Sequence, residues 1–117
     1  MKVGDVDAGS TDILMHDYEC GVVVLDCTRN IPSREKGARL RQSAQRLSEA
    51  VGEPVRCGII CAVDVEMLRE SWGPFGVALI SDNDLGKMRD LAEGGNIEGA
   101  RAHLFHVLNN LAPIGRL

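Results

Sequence analysis

The fold is decided by the stretch Cys20-Gly21-Val22-Val23-Val24-Leu25-Asp26-Cys27-Thr28. Its apolar run predicts a buried strand, and period-2 geometry places Asp26 and Thr28 on one face near its end. An earlier strand, Asp12-Ile13-Leu14-Met15, is close enough in sequence to pair with it through a hairpin over residues 16–19. Such a hairpin brings Asp12 near Asp26. Two carboxylates at one sheet edge predict a site for a hard divalent cation such as Mg²⁺, which needs only one or two carboxylates.

The composition is that of a single globular domain. The chain has 117 residues, 44% of them hydrophobic, which is enough to build a core. It lacks the long apolar run of a membrane span and the apolar region of a signal peptide, so we expect a soluble, cytoplasmic protein with no membrane partner. The cysteines fall in or beside apolar strand-like runs and are expected to be small core residues without a zinc ion: Cys20, Cys27, Cys57 and Cys61.

Positive charge is concentrated directly after the second strand. The net charge of the chain is −4, which argues against a general polyanion binder. Between residues 29 and 46, however, a single acid, Glu35, stands among six basic residues: Arg29, Arg34, Lys36, Arg39, Arg41 and Arg46. The segment can be interpreted as a solvated helix face, but its position beside two acids favours contact with phosphate.

The rest of the chain alternates between strand and helix patterns. Short apolar runs predict strands at residues 55–61 and 76–80, and apolar residues at helical spacing predict helices at 36–51 and after 82 or 83. A short helical segment at 65–71 lies between the last two strands. This order predicts one α/β domain over residues 1–117, a three-layer fold with a mixed central sheet of about four strands flanked by helices.

The C-terminal segment, residues 96–112, is predicted to be a strongly amphipathic helix. Its apolar stripe is expected to pack on the core, and the alternative is a homodimer interface because the spacing approaches a coiled-coil seam; the stripe is Ile97, Ala100, Leu104, Val107, Leu108 and Leu111. His103 and His106 are interpreted as polar-face residues, because no third metal ligand lies near them in the sequence.

The pattern of two acids, a strand pair and a basic helix resembles the core of the PD-(D/E)XK nuclease superfamily, in the restriction-endonuclease-like branch with Mrr-type enzymes and archaeal Holliday junction resolvases. Thr11-Asp12 stands where that family has Pro-Asp, and Asp26-Cys27-Thr28 stands where it has acid-x-Lys. The resemblance covers about residues 10 to 92. Because some members carry the lysine on the following helix, Lys36 is nominated for that role. The family core usually begins with a helix, which we expect a partner or the C-terminal helix to supply here.

The resemblance implies a metal-dependent endonuclease that hydrolyses phosphodiester bonds in DNA. The residues implied in catalysis are Asp12, Asp26, Thr28 and Lys36, and the ligands implied for Mg²⁺ or Mn²⁺ are Asp12, Asp26 and the backbone carbonyl of Cys27. The residues implied in contacts to the nucleic-acid backbone are Arg34, Arg39 and Arg41. Aromatic residues make up only 3% of the chain, so we expect duplex or structured DNA rather than single strands, which proteins bind by stacking.

Two other functions compete with the nuclease. The first is a catalytically inactive nuclease fold that binds nucleic acid or assembles with protein, which the neutral Thr28 in place of lysine favours. The second is a fragment of an actin-like ATPase, because Asp5-Val6-Asp7-Ala8-Gly9-Ser10-Thr11 is similar to the phosphate-binding turn of that family. Its fold needs two lobes and further nucleotide motifs that do not follow Thr28.

Overall fold

The described part of the chain consists of two short N-terminal strands, a strand pair and a succession of helices and parallel strands. In the computed structural model, the described residues are 2–3, 6–7, 13–17 and 21–109. The strands are β1 (Lys2–Val3), β2 (Val6–Asp7), β3 (Ile13–Asp17), β4 (Gly21–Thr28), β5 (Val55–Cys61) and β6 (Val77–Ile80). The helices are α1 (Arg34–Val51), α2 (Arg69–Trp72), α3 (Asp82–Glu93) and α4 (Ile97–Asn109), with 3₁₀ turns at Glu66–Leu68 and Gly73–Phe75.

Strands β3 to β6 form a mixed sheet in the order β3-β4-β5-β6. β3 pairs antiparallel with β4, with Ile13 opposite Leu25, whereas β4, β5 and β6 run parallel, with Asp26 opposite Ile59. The predicted antiparallel pairing and the mixed sheet with four strands are therefore confirmed, although β3 continues through His16 and Asp17, which were predicted to lie in the turn. Because three strands run parallel, their carboxyl ends lie at one edge of the sheet, which we call the carboxyl edge.

Helices cover both faces of the sheet because β4 is apolar on both sides. Val22 and Val24 face a core that includes α1, whereas Val23 and Leu25 face a core that includes α4. All four side chains are buried. A strand covered on both faces is a continuous apolar run instead of an alternating one. Helices on the two faces are compatible with the predicted three-layer fold.

Helix α1 begins at Arg34 rather than at the predicted Lys36. Ser33 caps it, because its hydroxyl accepts a hydrogen bond from the Lys36 N–H at 3.1 Å. Gly52 ends the helix in the left-handed conformation that glycine adopts without steric cost. The buried stripe of Leu40, Ala44 and Leu47 packs on the sheet as its spacing predicts.

The N-terminal turns of α1 lie close to the buried ring of Trp72. A Cβ atom at Gly37 would lie 2.4 Å from Trp72 Cζ3, a separation that real side chains do not reach. Trp72 in turn contacts the tilted ring of Phe75, with ring centroids 5.4 Å apart. Glycine at position 37 therefore allows α1 to approach the segment that connects β5 with β6.

Helix α4 covers the opposite face of the sheet and contacts α3, β5 and β6. Its residues Phe105, Val107 and Leu108 are buried, and a Cβ atom at Gly58 would lie 3.2 Å from Leu108 Cδ2. The predicted core role of this helix is thus confirmed for Val107 and Leu108, whereas Ile97 of the predicted stripe is 62% exposed and the buried Phe105 was not part of that stripe. Its predicted end at residue 112, including Leu111, lies outside the described residues.

Two N-terminal strands were not predicted. β1 and β2 pair antiparallel, with Val3 opposite Val6, and strands of two residues are too short to show a period in the sequence. The turn that suggested an actin-like ATPase lies outside the described residues except for Val6–Asp7. Within the described ranges, no helix is long and apolar enough to cross a membrane.

The packing at Gly37 predicts the stability of two matched variants. We expect Gly37→Ala to lower the free energy of unfolding by about 1–3 kcal/mol, because the added methyl group displaces the buried Trp72 ring. Gly86→Ala, in the middle of α3, has open space around its Cβ position and should raise stability by up to about 1 kcal/mol through helix propensity. Urea unfolding followed by circular dichroism measures both. A stabilised Gly37→Ala would contradict the close approach of α1 to Trp72.

Candidate functional site

Asp26 and Lys36 come together at the carboxyl edge. Asp26 follows Val22 and Val24 on the face of β4 that is covered by α1, and Lys36 lies in the first turn of that helix. Lys36 Nζ lies 3.9 Å from Asp26 Oδ2, and the two side chains are 34% and 13% exposed. The pairing places a buried carboxylate beside a cation that still reaches solvent.

The position of Lys36 is electrostatically unusual. A cation in the first turn of a helix is opposed by the partial positive charge of the helix N-terminus. Asp26 offsets this repulsion from the neighbouring strand. The result is a carboxylate that faces a concentration of positive potential, which is a suitable arrangement for a phosphate group or a metal-bound oxygen to enter.

Of the other residues predicted for the catalytic site, the structure describes Thr28 and Cys27 but not Asp12. The Thr28 hydroxyl accepts a hydrogen bond from the Asn30 N–H at 3.3 Å, and Thr28 lies opposite Cys61 in the ladder. The Cys27 side chain is exposed, and strand alternation directs it to the face opposite Asp26. Asp12 lies outside the described residues; the described ladder ends at Ile13, which follows Asp12 in the sequence, opposite Leu25, which precedes Asp26.

The three predicted arginines do not form one surface with Lys36. Arg34 lies over the Phe75 ring at 5.7 Å, and Arg41 Nη1 donates to the Pro74 carbonyl at 3.2 Å. Both therefore lie on the flank of α1 that meets the 73–75 turn. Arg39 pairs with Glu35 at 3.1 Å and is one turn from Lys36. Of the three arginines that were predicted to contact the nucleic-acid backbone, only Arg39 lies on the same side of α1 as Lys36.

A second polar cluster, which the sequence did not reveal, surrounds Asp84. This carboxylate is 5% exposed and accepts hydrogen bonds from the Ser81 N–H at 3.0 Å and from the Ser81 hydroxyl at 3.0 Å. Arg69 forms an ion pair with it, and His103 Nε2 lies 2.8 Å from its other oxygen. Glu66 completes the cluster through Arg69 at 3.2 Å and through the Ser81 hydroxyl at 3.0 Å.

The Asp84 cluster joins three helical segments, because Arg69 lies on α2, Asp84 on α3 and His103 on α4. His103 therefore contacts a buried acid, and its expected place on a polar face was wrong. The set is not a hydrolytic triad, since the Ser81 hydroxyl bonds to carboxylates rather than to imidazole and is fully buried. One part of the cluster has a sequence signal, because Ser-x-x-Asp at 81–84 forms a capping box.

The balance of forces on Asp84 favours its ionised form. Burial alone would raise the pKa of this carboxyl group, but hydrogen bonds from Ser81 and His103 and the charge of Arg69 outweigh burial and lower it. Unprotonated Asp84 therefore stabilises the fold. This contribution is complete above the ordinary pKa of an aspartate, about 4, and is lost as the pH falls through the lower pKa of the folded state.

The buried cysteines are poor nucleophiles. Burial raises the pKa of Cys57 to about 12, although the charge of Arg41 opposes it. Burial likewise raises the pKa of Cys61 to about 11, opposed by the charges of Arg69 and Lys36. In the part of the chain that is described, no three His, Cys, Asp or Glu side chains come together as a metal-binding group. One carboxylate with backbone and water oxygens is nevertheless sufficient for Mg²⁺, so the chemistry of Asp26 fits this ion.

The Asp84 cluster predicts a pH-dependent loss of stability. Asp84→Asn should lower the free energy of unfolding at pH 7 by about 3 kcal/mol, because it leaves Arg69 without its buried partner. Asp90→Asn, an exposed position on the same helix, should change it by less than about 0.5 kcal/mol. In urea unfolding, the difference in the free energy of unfolding between wild type and Asp84→Asn should become smaller as the pH falls below about 4. If this difference stays constant down to pH 2, ionisation of Asp84 does not contribute to the stability of the fold.

The cysteine environments predict a selective reaction with thiol reagents. Peptide mapping after brief treatment with iodoacetamide at pH 8 should show labelled Cys27 and little label on Cys57 or Cys61, because the latter two remain protonated and buried. Treatment in 6 M guanidinium should label all four cysteines of the chain. Rapid labelling of Cys61 in the native protein would contradict its burial beneath α1.

Comparison of the chain with protein-family models, with curated proteins and with solved structures found no match in any of the three. The comparisons therefore assign neither a family nor a function to the chain. The Asp26–Lys36 pair, the Asp84 cluster and the topology of the sheet are the observations on which a functional proposal has to rest.

Proposed function

We propose that the chain is a metal-dependent endonuclease-like domain that hydrolyses phosphodiester bonds in DNA. The observation that carries the proposal is the 3.9 Å separation of Lys36 Nζ and Asp26 Oδ2 at the carboxyl edge. An acid on a strand is thereby combined with a lysine from the following helix, an arrangement that some members of the family that the chain resembles use. The lysine comes from α1 because Thr28 occupies its usual position on the strand.

The topology supports the same proposal. An antiparallel hairpin leads into a parallel strand through a helix, and helices cover both faces of the sheet. This order agrees with the three-layer core expected from the resemblance. Fold analogy does not decide activity, however, so the proposal depends on the site residues.

The metal chemistry of the proposed site follows from its oxygen ligands. Asp26 and the backbone carbonyl of Cys27 would hold Mg²⁺ or Mn²⁺, together with Asp12, which precedes the strand paired with β4. A bound divalent ion activates water and offsets charge on the phosphate. Because Asp26 is largely buried, its carboxylate is held in place and needs little reorganisation on binding.

Lys36 is proposed to contact the phosphate. At 3.9 Å from Asp26 it forms an ion pair that is longer than a direct hydrogen bond, so its ammonium protons are able to reach an incoming oxygen. Its partial exposure leaves a path for the substrate. Arg39, one turn along the same side of α1, would contact a neighbouring phosphate of duplex or structured DNA.

The proposal predicts loss of cleavage in two site variants. Asp26→Asn and Lys36→Met should each lower the rate of plasmid cleavage in Mg²⁺ or Mn²⁺ by at least about 100-fold, because each removes a charge that acts on the phosphate or the metal. The matched controls Asp90→Asn and Lys87→Met, both exposed on α3, should retain activity. Adding Thr28→Lys to Lys36→Met should restore part of the rate, because it returns the lysine to the strand.

Substrate form and binding are measured with the same proteins. Supercoiled, linear duplex, branched and single-stranded DNA are compared for cleavage, and fluorescence polarisation measures affinity in the absence of divalent metal. Arg39→Gln should weaken duplex binding relative to Arg89→Gln, an exposed arginine on α3. Binding without cleavage by the wild type would support an inactive nucleic-acid-binding domain instead. Neither binding nor cleavage, or equal cleavage by wild type and Asp26→Asn, would overturn the proposal.

A further inference from the structure

A cavity of about 340 Å³ lies at the carboxyl edge between the ends of β4 and β5 and the start of α3. Its walls are formed by Cys27, Thr28, Arg29, Ile60, Ala62 and Leu85. In open α/β sheets, ligands bind outside the carboxyl ends of parallel strands. The volume is at the lower end of the range of about 300–1,000 Å³ for small-molecule sites.

The walls of this cavity combine an apolar surface with one cation. Ile60 and Leu85 are partly buried and pack against the core on the α4 side of the sheet. Arg29 is exposed, and among the described residues no hydrogen bond or ion pair occupies its guanidinium group. By contrast, Arg39 and Arg69 are paired with carboxylates. Arg29 is therefore able to bind a carboxylate or sulfonate group through two hydrogen bonds.

The neighbouring surface limits the charge that a ligand can carry. A second depression of about 490 Å³ begins just beyond Ala62 and Leu85, and its carboxylates greatly outnumber its single cation, Lys87; the acids are Asp64, Glu66, Asp82 and Asp90. Negative charge on this side repels polyanions. A ligand with one anionic group beside Arg29 avoids that repulsion.

We propose that this cavity binds a small molecule with a single carboxylate or sulfonate group on an apolar, aromatic body. The anionic group contacts Arg29, and the ring system packs on Ile60 and Leu85. The site adjoins the proposed nuclease centre at Cys27 and Thr28, but its anion-binding group is Arg29 rather than Lys36, and strand alternation directs the Cys27 side chain and the Asp26 carboxylate to opposite faces of β4. Either proposal can therefore fail without the other.

The test uses 1-anilinonaphthalene-8-sulfonate, a fluorescent probe with one sulfonate on an aromatic body. The native protein should bind it saturably at one site, and the bound probe should slow alkylation of Cys27, which lines the cavity. Arg29→Gln should weaken binding by about tenfold through loss of the charged hydrogen bonds. Ala62→Phe, at an exposed position, should abolish binding by filling the cavity, whereas Arg46→Gln on the outer side of α1 should leave it unchanged.

Competition and a site variant identify the ligand chemistry. Indole-3-acetate, with one carboxylate, should displace the probe, and adenosine triphosphate should not. Asp26→Asn should bind the probe as the wild type does, which separates this site from DNA cleavage. Unchanged probe binding in both Arg29→Gln and Ala62→Phe, or no protection of Cys27, would overturn the proposal. Displacement of the probe by the triphosphate at equal concentration would overturn the inference that the ligand carries a single negative charge.

Discussion

The fold depends on the burial of β4 on both of its faces. Val22 and Val24 are covered from one side and Val23 and Leu25 from the other, so a shift of the strand by one residue would exchange the two sets and place Asp26 in the opposite core. That exchange would bury a carboxylate away from Lys36, at a cost of several kcal/mol. The register of the sheet is therefore fixed by apolar packing along the strand and by one charged residue at its end.

Charged residues collect at the carboxyl edge because the apolar runs end there. Asp26 near the end of β4 is paired with Lys36, and Asp84 just past β6 is paired with Arg69. The two pairs differ in geometry. Asp84 has its hydrogen-bonding capacity filled by three neighbouring residues and joins helices, whereas Asp26 and Lys36 are separated by more than a hydrogen bond. The Lys36 ammonium group is therefore held less tightly than the Arg69 guanidinium group, and the saturated Asp84 carboxylate stabilises the fold.

The sequence predicted what local periodicity determines. The apolar run of β4, the body of α1 up to Val51 and the buried positions Val107 and Leu108 of α4 follow from spacing within one element. The start of α1 at Arg34 rather than Lys36 and the exposure of Ile97 do not. The Asp26–Lys36 pair was also predictable, because one short loop separates the two residues. The contacts of Asp84 were not, since Arg69 and His103 lie 15 and 19 positions away and reach it only through tertiary packing. Arg41 and Pro74, separated by 33 positions, are a similar case, and their contact removes Arg41 from the Lys36 side of α1.

The distribution of charge around the sheet determines how a polyanion can approach. The net charge of −4 conceals a basic helix α1 on one face and an acidic depression along α3 on the other side of the carboxyl edge. The electrostatic potential is therefore more positive over the α1 face, where Lys36 and Arg39 lie, than over the α3 side. Strand alternation at the end of β4 sends Asp26 towards the basic face and Cys27 towards the cavity beside α3. Adjacent residues of one strand thus face two electrostatic environments, one beside the basic helix α1 and the other beside the acidic depression along α3.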